Sequence, residues 1–129
     1  MKTYFFKVPG KLVGYTRMTR RGRFSPKAKA YHVYMEKVQW LAKQAGVPLP
    51  LVSSDDKPIR IETRPYTIRP RGQVHPDPDN IWKAVADALA YPRKRDQDCF
   101  GTIGYVMHVT SSRIAEDWVD VEVRLHGPE

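Results

Sequence analysis

In Trp118-Val119-Asp120-Val121-Glu122-Val123-Arg124-Leu125-His126 apolar and polar side chains alternate from Val119 onward. That period of two predicts a strand, with Val119, Val121, Val123 and Leu125 on one face and Asp120, Glu122, Arg124 and His126 on the other. A strand with one dry face needs a second layer packed against it. Working back from it, residues 111–117 read as a polar turn, Thr102 to Thr110 as another strand, and 92–98 as a charged turn. Ile81, Val85, Ala88 and Leu89 form the apolar stripe of a helix that starts near Asp79 or Asn80 and is closed by Pro92. Residues 69–78 hold Pro70, Gly72, Pro76 and Pro78 and are expected to be irregular. Ile59 and Ile61 alternate with Arg60 and Glu62 in a further strand. Pro65 has no N–H to donate, so an edge position or a break is expected there.

The N-terminal third reads as clearly. Thr3 to Val8 predicts a short strand ended by Pro9-Gly10. Residues 10–24 are a basic loop or ribbon with Gly10, Gly14 and Gly22 as flexible points. Ser25-Pro26 is an N-cap followed by proline at the first helical position. The helix runs to about Ala45, with Tyr31, Tyr34, Val38, Leu41, Ala42 and Ala45 on one face. Gly46 supplies its C-terminal stop, Pro48 forbids continuation, and 47–58 is a loop. The order β-α-β-α-β-β describes an α+β fold: one layered domain over residues 1–129, with two helices on a mixed β-sheet.

Composition narrows the function. The chain has 129 residues, enough for one domain with a real core. No run approaches about 18 apolar residues, so no transmembrane helix and no membrane partner are expected. The apolar run at the start is too short for a secretory signal. Cys99 is the single cysteine, which excludes an internal disulfide and a cysteine-based zinc site and fits a reducing, cytoplasmic setting. The four histidines show no ligand-like pairing, and no phosphate-loop motif for a nucleotide cofactor occurs.

Net charge is +8, with a pI near 9.7. Residues 1–35 hold nine basic residues and no acid, while the remainder carries 13 basic against 14 acidic. A basic excess confined to one segment points to a polyanion partner. Lys11, Arg17, Arg20, Arg21, Arg23 and Lys27 are the candidates for holding a nucleic-acid backbone. The plain alternative is a solvated surface. Tyr15 and Phe24 lie among these cations and suit either a sugar or base contact or ordinary packing.

His75-Pro76-Asp77-Pro78-Asp79-Asn80-Ile81-Trp82-Lys83 is the most specific segment and the candidate for chemistry. Pro78 biases Asp77 toward an extended conformation and fixes its own φ. Side chains two apart in an extended chain point the same way. Paired carboxylates repel unless a cation joins them, and hard divalent ions such as Mg²⁺ take such oxygen ligands. Lys83 lies one helical turn beyond Asp79. The structural alternative is that Asp79 is simply an N-cap and Lys83 an ordinary helix partner. Asp96 and Asp98 form a second acidic cluster past the helix. They supply a third carboxylate if the next strand runs back beneath the helix, and ordinary turn chemistry if it does not.

Asp77-Pro78-Asp79-Asn80, then Lys83, the helical Ala84-Val85-Ala86-Asp87-Ala88-Leu89, and Asp98 resemble the signature of the RusA family of Holliday-junction resolvases, the crossover-junction endodeoxyribonucleases. Pro9-Gly10, the basic stretch, and Gly22-Arg23-Phe24-Ser25-Pro26 leading to a helix with Tyr31 add to it, so the likeness spans roughly residues 4–125. The resemblance implies a RusA-like fold and a Mg²⁺-dependent homodimer. That dimer would cut four-way junction DNA by paired phosphodiester hydrolysis in recombination and repair. Asp77, Asp79 and Asp98 would be the catalytic metal ligands and Lys83 the catalytic cation. The chain departs from the family pattern at Gln97, at Phe100 where Gln is expected, and at His108 where a Lys is expected. Asp96 is the alternative third ligand. The competing functions are a non-catalytic or weakened RusA-like nucleic-acid-binding module, and a domain whose basic segment meets an acidic protein.

Overall fold

The computed structural model describes residues 2–15, 25–51, 59–68, 76–90, 102–105, 109–110 and 116–125. The elements in chain order are β1 (Lys2–Pro9), α1 (Pro26–Gln44), β2 (Ile59–Thr67), α2 (Pro78–Ala90), β3 (Thr102–Tyr105), β4 (Val109–Thr110) and β5 (Trp118–Leu125). The α+β expectation and both helices hold. The strand expected over 102–110 is described as two pieces, β3 and β4. No helix among the described residues is long and apolar enough to cross a membrane.

The alternating stretch that became β5 lies inside the sheet. It pairs antiparallel with β1 on one side and with β2 on the other. β2 takes β3 and β4 in parallel on its far edge, so the sheet is mixed, in the order β1-β5-β2-β3. The expectation of an edge strand at Pro65 is therefore corrected: β2 is an interior strand. On that side β3 pairs with Arg60 to Thr63, and β4 with Tyr66 and Thr67.

Both helices cover one face. Val8 of β1, Val119, Val121 and Val123 of β5, and Ile59, Ile61 and Thr63 of β2 are buried beneath them. Ser25 caps α1 as expected, its hydroxyl accepting from the Ala28 N–H at 3.1 Å, with Pro26 next. At the other end Gly46 takes φ +91°, a left-handed conformation that glycine adopts without penalty. Tyr31, Tyr34, Met35, Val38 and Ala42 form the buried face of α1, while Leu41 and Ala45 are half-buried against it.

α2 is enclosed far more than an amphipathic stripe predicts. Of residues 81–90, Lys83 alone is exposed and Asp87 is half-buried. Alanines at 84, 86, 88 and 90 let α1 and the sheet approach closely on several sides. Polar ties fix the helix in place. The Trp82 indole N–H donates to the Ile61 carbonyl at 2.8 Å. The Gln39 side chain of α1 donates to the Ala88 carbonyl at 3.0 Å. The Leu51 N–H satisfies the Leu89 carbonyl near the helix end.

Candidate metal and nucleic-acid site

α2 begins one residue earlier than the sequence pattern indicates. The Ile81 N–H donates to the Asp77 carbonyl at 3.0 Å, so Asp77, not Asp79, holds the cap position. Pro78 is then the first helical residue, where its missing N–H costs nothing. Asp79 lies in the first turn. The extended-chain argument for aiming both carboxylates one way thus fails beyond Asp77, because Asp79 already follows helical geometry. The two are brought to one helix end by the turn itself. The positive end of the helix dipole favours both anions there. Asp77 is exposed and Asp79 half-buried, so both reach solvent.

Lys83 follows one turn after Asp79 on the same side of the helix, exposed and without an ion pair among the described residues. Asp87 continues the row one turn further. Its Oδ2 accepts from the Tyr31 hydroxyl of α1 at 3.0 Å. Burial and the neighbouring Asp87 carboxylate both push the Tyr31 phenol well above its usual range, so it stays a proton donor. Sequence reasoning missed Asp87. The spacing Asp79, Lys83, Asp87, each four residues apart, was the signal that could have found it.

A second connection was not legible in the sequence. The segment after Gly10 passes directly over the acidic loop. The Tyr15 N–H donates to the Asn80 carbonyl at 2.9 Å. A Cβ on Gly14 would lie 2.9 Å from the Pro76 Cβ. Gly14 is not among the positive-φ glycines, so the residue is small there for closeness rather than for backbone freedom. The start of the basic segment is stitched to the loop that carries Asp77.

Lys11 and Lys27 are both exposed. Lys27 and Lys29 lie in the opening turn of α1, where cations oppose the helix dipole and no acid offsets them. Arg17, Arg20, Arg21, Arg23 and Phe24 lie outside the described residues, as do Asp96, Gln97, Asp98, Phe100 and His108. Among the described residues no three His, Cys, Asp or Glu side chains gather to hold a metal ion. Asp77 and Asp79 alone suit Mg²⁺, because this ion keeps several waters and is commonly held by one or two carboxylates plus substrate phosphate.

A depression of about 310 Å³ lies elsewhere, on the sheet face opposite the helices, lined by Phe5, Lys7, Glu62, Arg64, Asp120 and Glu122. Its two glutamates are tied to neighbouring arginines, with Arg124 Nε at 2.7 Å from Glu122 and an Arg64 guanidinium nitrogen at 3.6 Å from Glu62. It has no part in the α2 constellation.

No protein-family model matches the chain, and no curated protein matches it either.

Proposed function

We propose that this protein is a Mg²⁺-dependent, structure-selective endodeoxyribonuclease of RusA-like type that acts as a homodimer on four-way DNA junctions. One observation carries the reading: over residues 81–90 α2 is buried except at Lys83 and Asp87, and the solvent-reaching carboxylates of Asp77 and Asp79 stand at the helix start one turn before Lys83, which has no ion pair among the described residues. Two anions and a cation reaching water from one helix end supply the charges needed to hold a hydrated divalent ion and a phosphate.

Asp77 and Asp79 would hold the ion, with Asp98 or Asp96 as a further ligand. An ion held there would lower the pKa of a coordinated water and offset charge on the scissile phosphate. Lys83 stabilises the negative charge that develops on the phosphoryl oxygens. Lys11 and Lys27, with the arginines at 17, 20, 21 and 23, hold the neighbouring backbone phosphates. The hydrolysis joins a water oxygen to phosphorus, breaks one P–O bond to deoxyribose, and returns a proton to the leaving oxygen. A junction has near two-fold symmetry, so an isologous dimer would bring two sites to opposed strands.

The test is cleavage of a synthetic four-way junction by the full chain with Mg²⁺. Paired cuts that disappear in Asp79→Asn support the assignment. Cutting at full rate by Asp79→Asn removes it. Junction binding that ignores Mg²⁺ and leads to no cut identifies a non-catalytic binding module instead.

A further inference from the structure

We infer that the Tyr15 ring is the stacking contact for a base freed at the branch point of the DNA, and that it makes the protein prefer branched over linear duplex. The inference rests on the nuclease reading and assigns it a specificity residue.

Five large apolar side chains are exposed among the described residues: Phe5, Tyr15, Val33, Trp40 and Ile68. Phe5 and Ile68 belong to the uncovered sheet face, and Val33 and Trp40 to the solvent side of α1. Tyr15 is the one whose backbone is bonded to the first turn of α2, within the loop that bears Asp77 and Asp79.

Its position is fixed from three directions. The hydrogen bond to Asn80 sets its backbone, and the contact of Gly14 with Pro76 removes slack on the preceding residue. The ring itself meets Tyr31 at 6.1 Å between centroids and an interplanar angle of 87°. Tyr31 is only 1% exposed and is anchored in turn on Asp87, so it is a rigid wall. A perpendicular pair leaves at least one face of the Tyr15 ring clear of Tyr31. Tyr15 nonetheless remains 44% exposed. A rigid aromatic surface open to water is prepared for a flat apolar ligand, because the ordering cost of binding has already been met.

The flat ligand available beside a phosphodiester site is a nucleobase. In linear duplex both faces of each base are covered by its neighbours. At the branch point no continuous backbone holds the arms in register on the exchanging strands, so when the junction opens a base there can turn onto a protein ring. Stacking tolerates every base, so this contact reads structure rather than sequence.

The experiment measures binding of the full chain to a four-way junction and to linear duplex of matching sequence. Ca²⁺ replaces Mg²⁺, and the junction carries 2-aminopurine at its centre. Losing one base–aromatic stack is expected to weaken junction binding by about 5- to 150-fold. Tyr15→Ala should show that loss with duplex affinity unchanged, and its 2-aminopurine signal should stay that of free junction. Tyr15→Leu, which still packs on Tyr31 but offers no π-face, should behave the same way, whereas Tyr15→Phe should keep the junction preference. Junction-to-duplex ratios for Tyr15→Ala and Tyr15→Leu within threefold of the unmodified protein, with the same 2-aminopurine change, overturn the inference and leave the nuclease reading standing. An unmodified protein that binds no junction overturns both.

Discussion

Tyr31 and Tyr34 are three residues apart on the same buried face of α1, yet removing their hydroxyls should have opposite effects. The Tyr31 hydroxyl donates to the Asp87 carboxylate at 3.0 Å. A hydrogen bond to a charged partner contributes about 1.5–3 kcal/mol. Asp87 is half-buried and regains water when the donor is lost, so Tyr31→Phe should cost near the lower end, about 1.5 kcal/mol. The Tyr34 hydroxyl is buried and has no hydrogen-bond partner among the described residues. Tyr34→Phe removes an unsatisfied polar atom and should be neutral or stabilising by up to about 1 kcal/mol. Urea unfolding at neutral pH, followed by tryptophan fluorescence, measures both. An alkaline series separates them from generic packing effects. Burial raises the pKa of both phenols, and Asp87 raises that of Tyr31 further. In the unfolded chain each tyrosine titrates near about pH 10. The native state then holds more protons than the unfolded state above that pH, so stability is intact below about pH 10 and falls above it. Each tyrosine contributes up to about 1.4 kcal/mol per pH unit to the fall, and each Phe variant should remove its own share. A Tyr31→Phe cost under about 0.5 kcal/mol, or a Tyr34→Phe cost matching it, refutes the assignment of the Tyr31–Asp87 contact.

Other substitutions probe the site and the core. Lys83→Met should leave the thermal midpoint unchanged, since Lys83 is exposed, while reducing junction cleavage by about 10²-fold or more, as loss of a charge-stabilising donor does; a gel-based time course decides it. Leu89→Ala, at a fully buried position, should cost about 2–5 kcal/mol in denaturant unfolding. Thr63→Val keeps the shape of a buried side chain whose hydroxyl has no partner among the described residues, and should raise stability by about 1 kcal/mol in a urea titration.

Elements whose burial alternates or recurs regularly were readable from residue types alone. β5 spans Trp118–Leu125 because Val119, Val121 and Val123 share a face, and α1 starts after Ser25 because Ser-Pro is a strong local start signal. The partner strands of β2 were not readable, since Pro65 argues only about a missing donor and says nothing of which strands flank it. The site was half readable. Asp77, Asp79 and Lys83 stand in one contiguous motif. The contacts of Gly14 with Pro76, Tyr15 with Asn80 and Tyr31 with Asp87 join residues 56 to 65 positions apart, and no local pattern encodes such distant pairs. The opposite error arose at Asp77, where a stiffened dipeptide suggested an extended chain and the capping turn prevailed.

The central place of β5 has a consequence for how the molecule meets its own copies. Over Trp118–Leu125 it is paired with β1 along one flank and with β2 along the other. The most sheet-prone stretch of the chain thus offers no free amides to an intruding polypeptide, which guards it against fibril-like growth.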